Sequence, residues 1–291
     1  MTVRTPVRAG MFYESSPASC RRHVEELLQE AHVPDELPPR LYGGVVPHAG
    51  WVYSGGLAAL TLKSLIAAGP RKTIVLLGAD HTGAVRMGEV YAAGAWRTPL
   101  GEARVDEDLA QIVLAFGKSC CRENPDAHEN EHSIEVQVPF IQVLAPETMI
   151  LPIAVPPSPM AIEIGQAVGQ AVRDQADEVA IVASTDLSHH GGHFPAPGGR
   201  GQVGEQWTRR NDRRIIDLAE AMDANSVIPE TCKHMNACGA GAMTAAIVAC
   251  RVLGAQKGIC LEYTNSYVIT HKRHPNELDD TTVGYASIVF A

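Results

Sequence analysis

Three apolar runs in this chain end in the same way. YGGVVPHAG delivers His48, KTIVLLGADH delivers His81, and VAIVASTDLSHH delivers Asp186, His189 and His190. A lone histidine after a strand is ordinarily a hydrogen-bonded structural residue, but five ionisable groups in one context call for a shared explanation. Neutral imidazole is the commonest protein metal ligand. Two histidines from separate strands with one anionic ligand suit iron, copper or zinc and leave coordination positions open. His48 and His81 fit that role, and Asp186 and Cys238 both have the chemistry of a third ligand. Cys238 lies in MNACGAGAM, where a helix continuing through MTAAIVACRVLG begins. The helix macrodipole favours thiolate there, so Cys238 reads as a reactive nucleophile, a ready ligand or a small buried hydrophobe.

A second concentration is HENEHSIE, with His128, Glu129, Glu131, His132 and Glu135 just before an amphipathic pattern. It reads either as a solvated charged face or as a loop folded over the strand ends. In the second case His132 is a proton-transfer group or substrate clamp, while Glu135, one helical turn after Glu131, helps to cap the helix. His271 and His274, in THKRHP, read as exposed. Other site classes are missing from the sequence: there is no G-x-x-x-x-G-K-[ST] loop, G-x-S-x-G elbow or C-x-x-C pair. The glycines of LYGGVV precede a strand instead of opening a helix, unlike a dinucleotide fingerprint.

The elements that must position these groups alternate between strand and helix. Helical spacing runs from Pro17 to about Ala31 and through GGLAALTLKSLIAAGP, VDEDLAQIVLAFG, MAIEIGQAVGQAVRDQ and EQWTRRNDRRIIDLAEAM. Strands are expected at TMILPIAV, GICLEYTNSYVITH and TVGYASIVF besides the three that end in polar residues, and a hairpin between Gly88 and Arg104. GGHFPAPGGRGQ is an exposed loop. The pattern predicts an α/β fold with a mainly parallel or mixed central sheet and helices on both faces, in one domain over residues 1–291. In such sheets ligands bind beyond the carboxyl ends of the strands, which puts His48, His81, Asp186, His189 and His190 on one rim.

Composition narrows the partners. The 291 residues are 45% hydrophobic and 20% charged, enough apolar material for one sizeable core, and the net charge of −9 argues against nucleic acid. No run approaches the roughly 18 to 20 apolar residues of a spanning helix, and MTVRTPVRAGMFY lacks the apolar segment of a signal peptide. A cytoplasmic protein without membrane contact is expected. Seven scattered cysteines do not form a disulfide framework; they are expected as reduced thiols, with Cys20, Cys250 and Cys260 packed in the core.

The series VRAGMFYESSP, VPHAGWVYSG, LLGADHTG, ENEHSIEVQVPF, STDLSHHG and NACGAG resembles the MEMO family, whose bacterial and archaeal members are often called AmmeMemoRadiSam system protein B. The resemblance extends from about residue 5 to the C-terminus. It implies a fold similar to class III extradiol dioxygenases, which open catechol rings with O₂ at non-haem Fe(II). It also implies that His48 and His81 stand at the dioxygenase metal histidines and Cys238 where those enzymes have a glutamate. His132 and His189 would match histidines that position substrate and move protons, with Asp186 close by. The family usually reads G-P-S or G-P-N before the second histidine, whereas here Gly78, Ala79 and Asp80 precede it. Asp80 is expected either to support the metal from outside or to point to solvent. A thiolate is softer than a carboxylate and shifts the preference towards copper, zinc or a redox role. Three functions follow from the resemblance: an Fe(II)-dependent oxygenase or redox enzyme on a small phenolic molecule; a metal- or peptide-binding adaptor; and an accessory partner of a radical-enzyme modification system.

Overall fold

The structure is a computed structural model that describes residues 2–274 and 280–291. In chain order its elements are β1 (Val3–Arg4), α1 (Pro17–Glu30), β2 (Gly43–Val46), α2 (Trp51–Ala67), β3 (Thr73–Gly78), β4 (Gly88–Val90), β5 (Ala95–Thr98), β6 (Gly101–Arg104), α3 (Glu107–Phe116), β7 (Cys121–Glu123) and α4 (Val138–Leu144). There follow β8 (Met149–Ala154), α5 (Met160–Ala171), β9 (Val179–Ser184), β10 (His189–His190), α6 (Gly201–Glu220), α7 (Ala224–His234), α8 (Ala240–Leu253), β11 (Gly258–Asn265), α9 (Ser266–Arg273) and β12 (Thr282–Phe290).

Strands β2, β9, β3 and β8 lie side by side in that order, all parallel. Antiparallel neighbours flank them: β12 pairs with β2 and with β11, and β4 pairs with β8. The sheet is therefore mixed, with a parallel centre, and the late strands β11 and β12 join the same sheet as β2. A separate small sheet has the order β1-β5-β6.

The central strands are apolar throughout because both of their faces are covered. Alternation sends Val45, Val75, Leu77, Leu151 and Ile181 into one core, with α3, α5 and α8. Val46, Ile74, Leu76, Ile150 and Val182 go into the other, with α1, α2 and α4. Insertion of β9 between β2 and β3 brings three carboxyl ends together: Val46 pairs with Ser184, and Leu77 with Ala183. His48, His81 and Asp186 follow within three residues of these ends.

Three sequence expectations need correction, and one helix had none. Helix α2 begins at Trp51, so Gly55 and Gly56 lie inside it; a Cβ at Gly55 would lie 2.7 Å from Leu27 Cδ1, where α1 crosses. The hairpin is confined to β5 and β6, because Gly88–Val90 leaves to pair with β7 and β8. The strand expected through GICLEYTNSYVITH stops at Asn265, whose side chain accepts a hydrogen bond from Val268 N at 3.0 Å and caps α9. Helix α7, with Pro229 inside it, had no counterpart in the sequence reading. His274 is exposed and His271 half-buried, while Pro275 of that motif lies outside the described residues. All seven cysteines are free thiols; Cys20 and Cys250 are buried, and Cys260 is partly so. Among the described residues no helix is long and apolar enough to cross a membrane.

Helix α8 leads away from Cys238, and its seat is set by glycines. A Cβ at Gly165 of α5 would lie 2.5 Å from the Ala245 carbonyl oxygen and 2.8 Å from Val248 Cβ; one at Gly169 would lie 2.7 Å from Val252 Cβ. Gly165→Ala must push the two helices apart. Overpacking of this kind costs about 1–3 kcal/mol, so a fall of several degrees in Tm is expected. An unchanged melting curve would mean that α5 and α8 slide without cost.

Candidate metal centre

His48 emerges two residues after β2, and its backbone is anchored before its ring is. Asp186 Oδ1 accepts hydrogen bonds from His48 N at 2.7 Å and Ala49 N at 3.2 Å. The ring is aimed by a chain of donors. Ser184 Oγ donates to the Ser133 carbonyl at 2.6 Å, so it can only accept from His48 Nδ1, 3.0 Å away. Gln137 Nε2 donates to the same hydroxyl and to the Pro47 carbonyl. The proton on His48 is thereby fixed to Nδ1, and the Nε2 lone pair faces Cys238 Sγ at 3.1 Å. His48 is fully buried, and burial together with the neighbouring His81 and His132 holds its pKa well below the usual value.

Cys238 is held by the extension of β9. Its backbone N–H donates to the Asp186 carbonyl at 3.2 Å, and its sulfur accepts from Asp186 N at 3.2 Å. The next residue must be glycine: a Cβ at Gly239 would lie 2.4 Å from the Ser184 carbonyl oxygen. Burial pushes the thiol pKa up, against the pull of a hydrogen bond to His81.

His81 is aimed by a residue to which the sequence reading gave no such role. Glu131, 1% exposed, accepts from His81 N at 2.9 Å, and both its oxygens lie 3.2 Å from His81 Nδ1. The same carboxylate accepts from His132 N and Ser133 N, each at 2.7 Å. Burial alone would raise its pKa, but these bonds hold it well below the usual range. His81 is the reciprocal case: the residue is exposed, partial desolvation of its ring pulls its pKa down, yet Cys238 and Glu131 carry it up to about 10. With Nδ1 turned to Glu131, Nε2 is the nitrogen left for Cys238 and the pocket.

The ligand atoms of His48, His81 and Cys238 all lie within 4.8 Å of one another. A tetrahedral ion with bonds of about 2.0–2.3 Å keeps its ligands about 3.3–3.8 Å apart, so closing on a metal requires only small adjustments. The donor set of two imidazoles and a thiol therefore fits a transition metal. A second grouping, His81, Glu131 and His132, is equally compact, but Glu131 is already occupied by four N–H groups.

His132 stacks on His81 with centroids 4.7 Å apart, stands edge-on to His48 at 5.5 Å and meets Phe12 at 5.1 Å. Burial, reinforced by His81, lowers its pKa to about 4. His189 packs against Phe194 at 4.8 Å, and burial with the charge of His81 lowers it to about 4 as well. Burial raises Asp186 to about 7, although two backbone N–H groups work against it.

Several expectations take a different form here. His190 is turned away from the pocket onto Trp207, with Nε2 accepting from Gly198 N. Asp80 accepts from Thr82 Oγ1 and Val85 N, so it closes its own turn, and the carboxylate behind His81 is Glu131. The HENEHSIE segment is mostly buried. His128 Nε2 binds the Glu89 carbonyl, and Glu135 caps no helix but accepts from Arg4, Val7 N, Arg8 N and Tyr13 Oη. A signal was present: Ile134, Val136, Val138 and Phe140 leave no polar face for a solvated helix.

Comparison with known proteins identifies the family. A model of the family described as Memo-like protein matches residues 4–289. A MEMO1 family protein of Methanothermobacter thermautotrophicus is 34% identical over 98% of this chain and 99% of its own length. One from Methanopyrus kandleri is 33% identical over 99% and 98%, and one from Thermococcus kodakarensis 35% identical over 99% of each chain. With a match across nearly every element from β1 to β12, this chain belongs to the Memo-like family.

Proposed function

We propose that the protein binds one transition-metal ion between His48 Nε2, His81 Nε2 and Cys238 Sγ, with Fe(II) foremost, and uses it in a redox or oxygenase reaction on a small phenolic molecule. The observation that carries this reading is the fixing of both imidazoles from behind, His48 through Ser184 and His81 through Glu131, which turns both Nε2 atoms towards one thiol. Metal-binding histidines are held in this way by partners on their far nitrogen. Bound iron would supply a redox centre able to react with O₂.

The remaining roles belong to the chain. Burial lowers the pKa values of His132 and His189 to about 4, so both are neutral near pH 7 and each can accept a hydrogen bond from a phenol beside the pocket. Phe12 and Phe194 give each of them an aromatic neighbour. Asp186 holds the backbone of His48 and Ala49, which makes it a positioning residue. The thiol also suits copper or zinc. A second reading, a metal-dependent adaptor for an extended peptide, draws support from the exposed Met11 and Val52, which line a cleft with Phe12 and Tyr13.

Protein purified anaerobically without a metal-binding tag is expected to take up about one Fe(II) per chain, by a stoichiometry of one site. His48→Ala with His81→Ala should abolish uptake while the chain stays folded; retained metal sinks the assignment. Turnover of a catechol with O₂ separates the oxygenase from the adaptor, because the adaptor binds metal without turnover. Cys238→Ser should remove the thiolate charge-transfer absorption of the copper form, and an unchanged spectrum excludes sulfur as ligand.

Glu131→Gln keeps the shape but removes the charge behind His81. Metal affinity should fall about 10- to 100-fold, read by competition with a chelator; an equal affinity would remove Glu131 from the site.

The metal must displace a proton from His81, held up to about 10, and one from the Cys238 thiol, raised by burial. Binding therefore strengthens as pH rises: up to two protons leave, and affinity climbs by about tenfold or more per pH unit near neutrality. Calorimetry in buffers of different ionisation enthalpy reads the protons released. Affinity independent of pH would place the ligands elsewhere.

A further inference from the structure

Strand β1 and the 3₁₀ turn Pro125–His128 face each other across a cavity of about 360 Å³, within the range of small-molecule sites. It shares no lining residue with the metal centre. Tyr91 lines it, is 2% exposed, and its hydroxyl finds no acceptor. Around Tyr91 the rings of Trp96 and His128, which do not line the cavity, pack edge-on at 5.8 and 5.7 Å and hold the tyrosine in place. A buried donor left without an acceptor is costly, so the Tyr91 hydroxyl points to a molecule that completes it.

The charges around the cavity choose the sign of that molecule. Arg4 is the cation nearest to hand, but its guanidinium already donates to Glu135, the His128 carbonyl and the Glu131 carbonyl. It has no free fork for an anion. Asp126 and Glu129 line the mouth, are exposed, and make no side-chain ion pair among the described residues. A net charge of −9 adds a general bias towards cations.

We infer that this cavity is a second ligand site, which takes a small organic ammonium carrying a carbonyl oxygen: the ammonium at Asp126 and Glu129, the carbonyl accepting from Tyr91 Oη. The site stands apart from the proposed metal chemistry and survives its failure.

The probes are glycinamide, 4-aminobutanamide and Nα-acetyl-lysine amide, with the norleucine and glutamate analogues of the last as controls. Ligand-observed NMR and calorimetry should give saturable binding of at least one probe with Kd of about 1 mM or below, and much weaker binding of both controls. Tyr91→Phe keeps the ring and the fold and should weaken binding about three- to tenfold. Asp126→Asn with Glu129→Gln should abolish it, while His48→Ala with His81→Ala leaves it unchanged. The inference is overturned by any of three results: no saturation up to about 10 mM, equal binding of the norleucine analogue, or unchanged affinity in Tyr91→Phe.

Discussion

A carboxylate buried without partners is among the costliest groups a fold can carry, and Glu131 is 1% exposed. Everything around the candidate metal centre answers that cost. The backbone N–H groups of His81, His132 and Ser133 and the imidazole of His81 all converge on it. None of these donors can turn away without stranding the charge. The side-chain directions of His81 and the path of the loop through His132 are thus fixed by one electrostatic requirement. Arg4 extends the constraint to the N-terminus: Nη2 holds the Glu131 carbonyl, while Nη1 pairs with the buried Glu135, which also collects Val7 N, Arg8 N and Tyr13 Oη.

The sheet supplies the other half of the geometry. Strand β9 lies between β2 and β3, so its Ser184 and Asp186 reach partners on both sides. Ser184 links the His48 ring to the Ser133 carbonyl, and Asp186 ties the His48 backbone to the Cys238 loop. Histidines brought by two strands and a thiol brought by a helix start are joined through the third strand's polar end. Polar residues after an apolar run of β9 are needed because the carboxyl ends of parallel strands leave N–H and C=O groups without ladder partners.

This explains what was legible in the sequence. The strand-end histidines could be found because strands buried on both faces read as unbroken apolar runs, and the change to polar residues marks the rim. The mixed sheet and its helices followed from the same runs. Glu131 could not be found in this way, because its role depends on His81, 50 residues earlier in the chain. His189 and His190 show the limit of the rule: adjacent residues in a strand point to opposite sides, so only one of them can face the pocket. Asn265 shows another, since a strand with β propensity on both sides of it was ended by a local side-chain cap.

The choice of metal turns on charge as much as on softness. Two neutral imidazoles and a thiolate give a donor set of −1, and Glu131 adds a second negative charge one hydrogen bond behind His81. The total balances a divalent ion within a pocket where His48 is wholly buried and uncompensated charge is penalised. A carboxylate hydrogen-bonded to the far side of an imidazole also makes that ligand more basic. Together with the thiolate it would favour the more oxidised state of a redox metal held there. Without a metal the Glu131 carboxylate and the hydrogen bond to Cys238 act on protons: they hold the His81 pKa up to about 10, imidazolium and carboxylate balance each other, and burial favours the neutral Cys238 thiol. The arrangement is thus stable without an ion and becomes a ligand set when those protons leave. That is how such a site can be built before it is filled.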